Sequence, residues 1–318
     1  MSVQQVHRTS YSVDVNAPAG VVYGLIADTT RWPLYFPSSI HVERLDFDGS
    51  RDRFHIWVTA NGSVRYWLSH RTLDESRLRI DFRQEVPAAP AVAMGGSWIV
   101  EPRGSGRSRL VLLHDFAVAG DRAADVEWTK LATDTNSRAQ LATLKEAAEG
   151  WTRLDGLQLS FEDSVRVNGP SELVYQFLYE AADWPERVPH VARVAVTEQA
   201  PGVQLLSMDT VTADGSAHTT ESVRVCFPAA GRIVYKQTAT PALMAAHTGE
   251  WSLIPDENGV TAVSQHSVLL REEAIERVLG PGADLATART YVREALGRNS
   301  TATLGLAKEH AETAVRML

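Results

Sequence analysis

Apolar and polar residues alternate along Tyr11-Ser12-Val13-Asp14-Val15, which predicts a strand with one buried face. Asn16-Ala17-Pro18 breaks the alternation, and the period then changes. Val21, Val22, Leu25 and Ile26 fall on one side of a short helix that Pro18 opens at its tolerated first turn, and Trp32-Pro33 stops it. Alternating runs follow at 40–45, 53–59, 64–73, 78–86, 96–100 and 109–116. Turn residues separate them at Asp48-Gly49, Asn61-Gly62, Asp74-Glu75-Ser76 and Arg103-Gly104-Ser105-Gly106, so the segment reads as an antiparallel meander. From about Ala123 to Glu149 the period is helical again, with Val126, Leu131, Leu141, Leu144 and Ala148 on the apolar side and Gly150 as the C-terminal stop.

The chain then repeats this order. Val15-Asn16-Ala17-Pro18, Val22-Tyr23 and Trp32-Pro33 return at equal spacing as Val167-Asn168-Gly169-Pro170, Val174-Tyr175 and Trp184-Pro185. Asn136-Ser137-Arg138-Ala139-Gln140-Leu141 and Lys145-Glu146 are answered by Asn299-Ser300-Thr301-Ala302-Thr303-Leu304 and Lys308-Glu309. Beginning and end both recur, which signals an internal duplication. In the second copy, turns are expected at Ala213-Asp214-Gly215 and Glu257-Asn258-Gly259, and a final helix capped near Asp284 runs almost to Leu318. The expected division is therefore a domain at 1–150, a linker at 151–156 and a second domain at 157–318, which suits a chain of 318 residues.

One strand, short helices, about six more antiparallel strands and a long C-terminal helix make an α+β order in each half. The sheet must curve around the helix to bury it. This is a tandem helix-grip fold, and the space between sheet and helix is a natural small-molecule cavity.

Composition narrows the classes of function. A hydrophobic fraction of 44% and a charged fraction of 22% are ordinary for a globular protein, and no apolar run approaches the ~20 residues of a membrane span. A formal charge of -8 argues against a phosphate-backbone partner, so nucleic acid is not expected. The first residues lack an apolar signal core and Cys226 is the one cysteine, which fits a cytoplasmic protein without internal disulfides. His218, His247 and His266 lack ligand-like spacing with carboxylates or Cys226, so no metal is expected. Gly104-Ser105-Gly106 and Gly280-Pro281-Gly282 lack the strand-turn-helix setting of a phosphate loop, and no Gly-x-Ser-x-Gly elbow is present.

Arg65-Tyr66-Trp67-Leu68-Ser69-His70-Arg71 is the strand with the most chemistry. Trp67, Ser69 and Arg71 share one face, and Tyr66, Leu68 and His70 share the other. Either Tyr66 and Leu68 are core beneath a solvated arginine face, or Trp67, Ser69 and Arg71 point into the cavity. The second copy, Thr220-Glu221-Ser222-Val223-Arg224, again sets a serine two residues before an arginine while its neighbours change. A merely solvated face does not require that, so the repeat favours the cavity, although Val223 and Val225 can be core.

These features together resemble the aromatase/cyclases of bacterial type II polyketide synthases, members of the START-like superfamily. The resemblance is carried by Trp32-Pro33, by the Trp67-x-Ser69-His70-Arg71 strand, by Gly96-Ser97-Trp98 and by Asn136-Ser137-Arg138-Ala139, and it spans both halves. It implies that Trp67, Ser69 and Arg71 line a pocket with Trp32 at its end. A tyrosine that some single-domain relatives place after Trp-Pro is matched here by Ser39, with Tyr35 displaced.

The implied activity is folding of a poly-β-keto chain, first-ring aldol closure, dehydration and aromatisation, without a cofactor. The implied substrate is tethered to an acyl carrier protein, and the implied partners are the minimal polyketide synthase and a ketoreductase. Arg71, always protonated, and Ser69 are the expected catalytic pair, holding an enolate or carbonyl oxygen and relaying a proton. Trp67, Trp32, Trp98, Ser222 and Arg224 are the expected substrate-binding residues, core packing being the plain alternative for each tryptophan. His114, beside Asp115, and His266 are candidate acid/base groups, against the commoner outcome of a satisfied structural histidine. In the second half Thr220 replaces Trp67, while Trp184, Ser222, Arg224 and Trp251 remain. A basic rim at Arg51 and Arg53, or at Arg103, Arg107 and Arg109, would steer an acidic carrier protein. The rivals are a non-catalytic START-like carrier of a lipid, quinone or polyketide, and an assembly role.

Overall fold

A computed structural model describes residues 5–60, 62–211 and 217–316. Contacts divide the chain into units 1–154 and 155–318. The expected turn at Ala213-Asp214-Gly215, and Asn61 of the Asn61-Gly62 turn, lie outside the described residues.

In the first unit, β1 (His7–Val15), helices α1 (Ala19–Ala27) and α2 (Trp32–Tyr35), strands β2 (Ser39–Phe47), β3 (Arg51–Ala60), β4 (Ser63–Asp74), β5 (Arg79–Gln84), β6 (Ala91–Pro102) and β7 (Ser108–Val118), and helix α3 (Ala123–Glu149) follow in order. The strands form one seven-stranded antiparallel sheet in the order β1-β7-β6-β5-β4-β3-β2. Strands β2 to β7 thus form a meander, while β1 and β2 lie at opposite edges, and the sheet between them faces α1 and α3. Helix α4 (Trp151–Leu157) covers the stretch expected to be a linker.

The second unit repeats the pattern. It contains β8 (Gln158–Val167), α5 (Ser171–Tyr179), α6 (Trp184–Arg187), β9 (Val191–Ala200), β10 (Val203–Val211), β11 (Ala217–Phe227), β12 (Arg232–Ala239), β13 (Met244–Asp256), β14 (Gly259–Leu270), α7 (Ile275–Leu279) and α8 (Leu285–Arg316). Its sheet order, β8-β14-β13-β12-β11-β10-β9, is that of the first. Asp284 caps α8 by accepting from the Thr287 N–H at 2.8 Å, as its position predicts.

Residues of α1 and of the C-terminal half of α3 pack on the sheet: Val22, Ile26, Leu141, Leu144 and Ala148 join Val15, Leu110 and Leu112 in one buried cluster. The other half of α3 behaves differently. Leu131 is 67% exposed, contrary to its expected place on the apolar side, and the buried stripe there is Val126, Thr129, Thr133 and Ser137.

Candidate active site in the first unit

A cavity of about 360 Å³ lies between the sheet and α3, within the range of about 300–1,000 Å³ usual for ligand pockets. Its wall includes Trp67, Ser69, Arg71, Trp98 and His114 from the sheet and Trp32 from α2, with Asn136, Ala139, Gln140 and Thr143 supplied by α3. Trp67, Ser69 and Arg71 therefore share the inner face. Tyr66, which the competing reading placed in the core, is 63% exposed, and His70 is exposed on the same outer face. Ser39 also lines the cavity, whereas Tyr35 is buried in the neighbouring apolar cluster.

Arg71 is held more tightly than a free oxyanion donor would be. Its Nε donates to Asp52 Oδ1 at 2.9 Å and its Nη2 to Asp52 Oδ2 at 2.5 Å. Nη1 donates to the carbonyl of Ile26 at 2.8 Å, and Nη2 also to that of Ala27 at 2.7 Å. Four of its five N–H groups are thereby engaged, leaving one on Nη1. The carbonyls belong to the last turn of α1, where helix oxygens lack intrahelical partners and carry partial negative charge. The guanidinium also lies over Trp32 and Phe54, at 5.5 and 5.3 Å from the ring centroids. Arg71 thus ties β3 and β4 to α1 first, and only one N–H is left for a ligand.

Cross-strand register shows which positions the duplication keeps. Ser69 faces Gln84 and Ser222 faces Gln237, and all four side chains line their cavities. Phe82 faces Gly96, which faces His114. Tyr235 faces Gly249, which faces His266. Each glycine is required by close approach: a Cβ at Gly96 would lie 1.9 Å from the Leu113 carbonyl oxygen, and one at Gly249 would lie 2.2 Å from Tyr235 Oη. An aromatic ring and a histidine thus meet across a glycine in both units.

Their chemistry differs. In the first unit Phe82 offers only its ring edge, 5.5 Å from the His114 centroid, and His114 Nδ1 is buried without a hydrogen-bond partner. Burial pushes the His114 pKa down to about 4, a shift that the Asp115 charge opposes only in part. Asp115 is not its acid/base partner, because it pairs with Arg83 at 2.5 Å. The imidazole is neutral at neutral pH and lines the cavity, and its Nδ1 is buried and unpartnered. His114 is therefore the candidate acid/base group on the wall of the first cavity, and the glycine opposite each histidine in both repeats is the signal that marks it.

The second unit encloses a smaller cavity of about 140 Å³, lined among others by Trp184, Thr220, Ser222, Arg224, Tyr235 and Trp251. His266 is engaged there: its Nδ1 is 3.2 Å from Tyr235 Oη and 3.0 Å from His247 Nε2, and its Nε2 is 3.2 Å from Ser264 Oγ. Burial pushes His266 down to about 4 and His247 well below its ordinary value.

These histidines predict an acid-labile fold. Unfolded, they take up protons near pH 6.5; folded, His114 and His266 do so only near 4, so in that window the unfolded chain binds more protons. Stability is expected to fall as pH drops from 6.5 towards 4, beyond what exposed carboxylates contribute. Urea unfolding at stepped pH checks this, and a flat midpoint across that window would refute it.

Two arginines of the expected basic rim are paired within the chain, Arg53 with Glu85 at 2.7 Å and Arg103 with Glu101 at 2.6 Å, while Arg109 donates to the neutral Ser12 hydroxyl at 2.7 Å. Among the described residues, no group of three or more His, Cys, Asp or Glu is placed to hold a metal ion, and no helix is long and apolar enough to cross a membrane.

The family model described as polyketide cyclase / dehydrase and lipid transport matches the chain twice, at residues 6–149 and 158–312. The chain is 43% identical over 310 residues to the granaticin polyketide synthase bifunctional cyclase/dehydratase of Streptomyces violaceoruber, covering 97% of this chain and 95% of that protein. It is 41% identical over 314 residues to the actinorhodin polyketide synthase bifunctional cyclase/dehydratase of Streptomyces coelicolor, covering 96% of each. Among solved structures it is similar to the di-domain aromatase/cyclase BexL of the BE-7585A biosynthetic pathway, with TM-score 0.88 and 47% identity over 96% of this chain and 99% of that one. The di-domain aromatase/cyclase StfQ of the steffimycin pathway follows with TM-score 0.85 and 36% identity, at the same coverage.

Proposed function

The chain belongs to the polyketide cyclase/dehydrase family, matched in both of its halves, and from that premise we propose that it closes and dehydrates the first ring of a carrier-bound poly-β-keto chain. It is an enzyme of polyketide assembly, a cyclase/dehydratase, and its partners belong to that pathway. The finer reading adds an acyl carrier protein presenting the substrate and a ketoreductase acting before it.

The observation that carries this reading is the joining of an aromatic-walled cavity of about 360 Å³ to a neutral imidazole on its wall whose Nδ1 has no hydrogen-bond partner. Methylenes between carbonyls are acidic enough for a positioned base. His114 takes one such proton, and the electron pair left behind moves onto the adjacent carbonyl oxygen as an enolate. That oxygen is held by the Ser69 hydroxyl and the remaining Nη1 N–H of Arg71. The enolate carbon bonds to a second carbonyl carbon, whose oxygen becomes an alkoxide and takes back the proton that His114 holds. For elimination, the neutral His114 removes the remaining α-proton, the C=C bond forms as the C–O bond breaks, and the hydroxyl departs as water with that proton. No redox change occurs. Trp32, Trp67 and Trp98 bend the chain so that the reacting carbons meet, and exclude water while they do.

Reconstitution with a minimal polyketide synthase and a ketoreductase tests the proposal. The intact protein is expected to yield the aromatised first ring. Ala139→Trp, which places an indole from α3 into the cavity, is expected to divert the chain to mis-cyclised shunt products. A product profile unchanged by that variant would favour the passive carrier.

A further inference from the structure

In the second unit the arginine of the repeated Ser-x-Arg pair has lost its counter-ion. Asp52 lies directly across from Arg71 in the β3–β4 ladder, and the position across from Arg224 in the β10–β11 ladder is Gln204. The duplication has thus exchanged a carboxylate for an amide at the one place that neutralises the guanidinium. Arg224 is 3% exposed, and its Nη2 donates to the carbonyl of Leu178 in the last turn of α5. Its Nε and Nη1 have no hydrogen-bond partner, and neither has Gln204 Oε1. The guanidinium stacks over Trp184 at 5.7 Å and lines the cavity.

Nothing nearby supplies the missing negative charge. The groups acting on Arg224 are Cys226, Tyr175, Tyr179 and Tyr235, and burial raises all four, Cys226 to about 11. All are neutral at neutral pH. A buried guanidinium with two idle donor atoms and no counter-charge costs stability unless a ligand completes it.

We infer that the cavity of the second unit is a binding site for a delocalised oxyanion, the enolate of a 1,3-dicarbonyl or the phenolate of the ring formed from it, held by N–H groups of Arg224 that the protein leaves unpaired. The identity of that ligand rests on the polyketide reading above; the charge argument does not. A cavity of about 140 Å³ takes a single ring rather than a whole folded chain. Trp184 and Trp251 flank it, and the orphan Gln237 Oε1 accepts from a neighbouring hydroxyl of such a ring. Arg71 offers no equivalent site, because Asp52 already neutralises its guanidinium through Nε and Nη2.

The test uses the full chain and 4-nitrophenol, whose ionisation is visible by absorbance. Bound to the wild-type protein, the probe is expected to ionise about 10- to 1,000-fold more readily than in free solution, the effect of an opposite charge within contact range. Gln204→Asp rebuilds the ion pair found in the first unit and is expected to abolish this shift. Ala139→Trp, which fills the first cavity, is expected to leave it intact. The inference is overturned by a wild-type protein that does not bind the probe or binds it without a shift. It is equally overturned by a shift that survives Gln204→Asp or disappears in Ala139→Trp. Because the measurement needs no synthase, a failed reconstitution beside an intact phenolate shift overturns the polyketide reading alone, and the reverse result overturns only the oxyanion site.

Discussion

Asp52→Ala is expected to destabilise the first unit by about 3–5 kcal/mol, the cost of removing one partner from a buried ion pair and leaving the other charge uncompensated. The two side chains are 1% and 0% exposed, so water cannot take over from the carboxylate. Arg71 would keep its bonds to the Ile26 and Ala27 carbonyls, but partial charges at a helix end offset only part of a full one. The measurement is hydrogen exchange at amides of β3, β4 and α1, where protection should fall while the amides of β10 and β11 serve as the internal reference. A loss below about 1 kcal/mol, typical of an exposed pair, would show that the guanidinium finds another counter-charge or water. Asp52→Leu combined with Arg71→Met distinguishes charge from packing. Apolar replacement of a buried pair is often neutral or stabilising, and the two α1 carbonyls left without donors cost about 1–3 kcal/mol each at most, so the double variant should recover much of the loss. If it also retains cyclised product, Arg71 acts by holding α1 on the sheet; if product is lost from a stable protein, its one remaining N–H touches the substrate.

The pair also shows where sequence reading succeeds and where it stops. Alternation on a strand is a local property, so the common inner face of Trp67, Ser69 and Arg71 follows from the residues themselves, and the repeat at Ser222 and Arg224 supports it. What lies beside Arg71 is a property of register, set by a turn and by the pairing of two strands. In sequence Asp52 is only an acidic residue between Arg51 and Arg53, although its replacement by Gln204 is a difference between repeats that sequence contains. The same limit explains His114: a histidine on a late strand is legible, but the glycine and phenylalanine that leave its Nδ1 unsatisfied sit on two other strands. Leu131 failed for another reason. A helical period over 27 residues puts leucines on the inner face, whereas the buried stripe in that half is Val126, Thr129, Thr133 and Ser137, whose mostly polar side chains an apolar pattern does not mark. Helix α4 at 151–157, with its short apolar content, gave no periodic signal to set against the expectation of a linker.

His114→Phe is expected to move activity and stability in opposite directions. As the base for ring closure and the proton source for the departing hydroxyl, His114 should account for about 10²- to 10⁴-fold in the rate of aromatised product formation, the usual weight of a positioned acid/base group. Its replacement removes a buried nitrogen that has no partner, and exchanging an unsatisfied polar atom for an apolar ring of similar shape is neutral or stabilising. A histidine with only a structural role would behave the other way, losing stability and leaving turnover per folded molecule unchanged. The pH profile supplies a second readout. A base must be unprotonated to act, and burial pushes His114 down to about 4, so kcat/KM of the wild-type protein should hold through pH 6.5 and fall only as pH approaches 4. In the variant that acid limb should disappear from the residual rate, and the acid lability expected between pH 6.5 and 4 should shrink, since one fewer buried ring must take up a proton on unfolding. A limb centred near 6.5, or a variant that is fully active, would remove His114 from the reaction and leave the first cavity without a base on its wall.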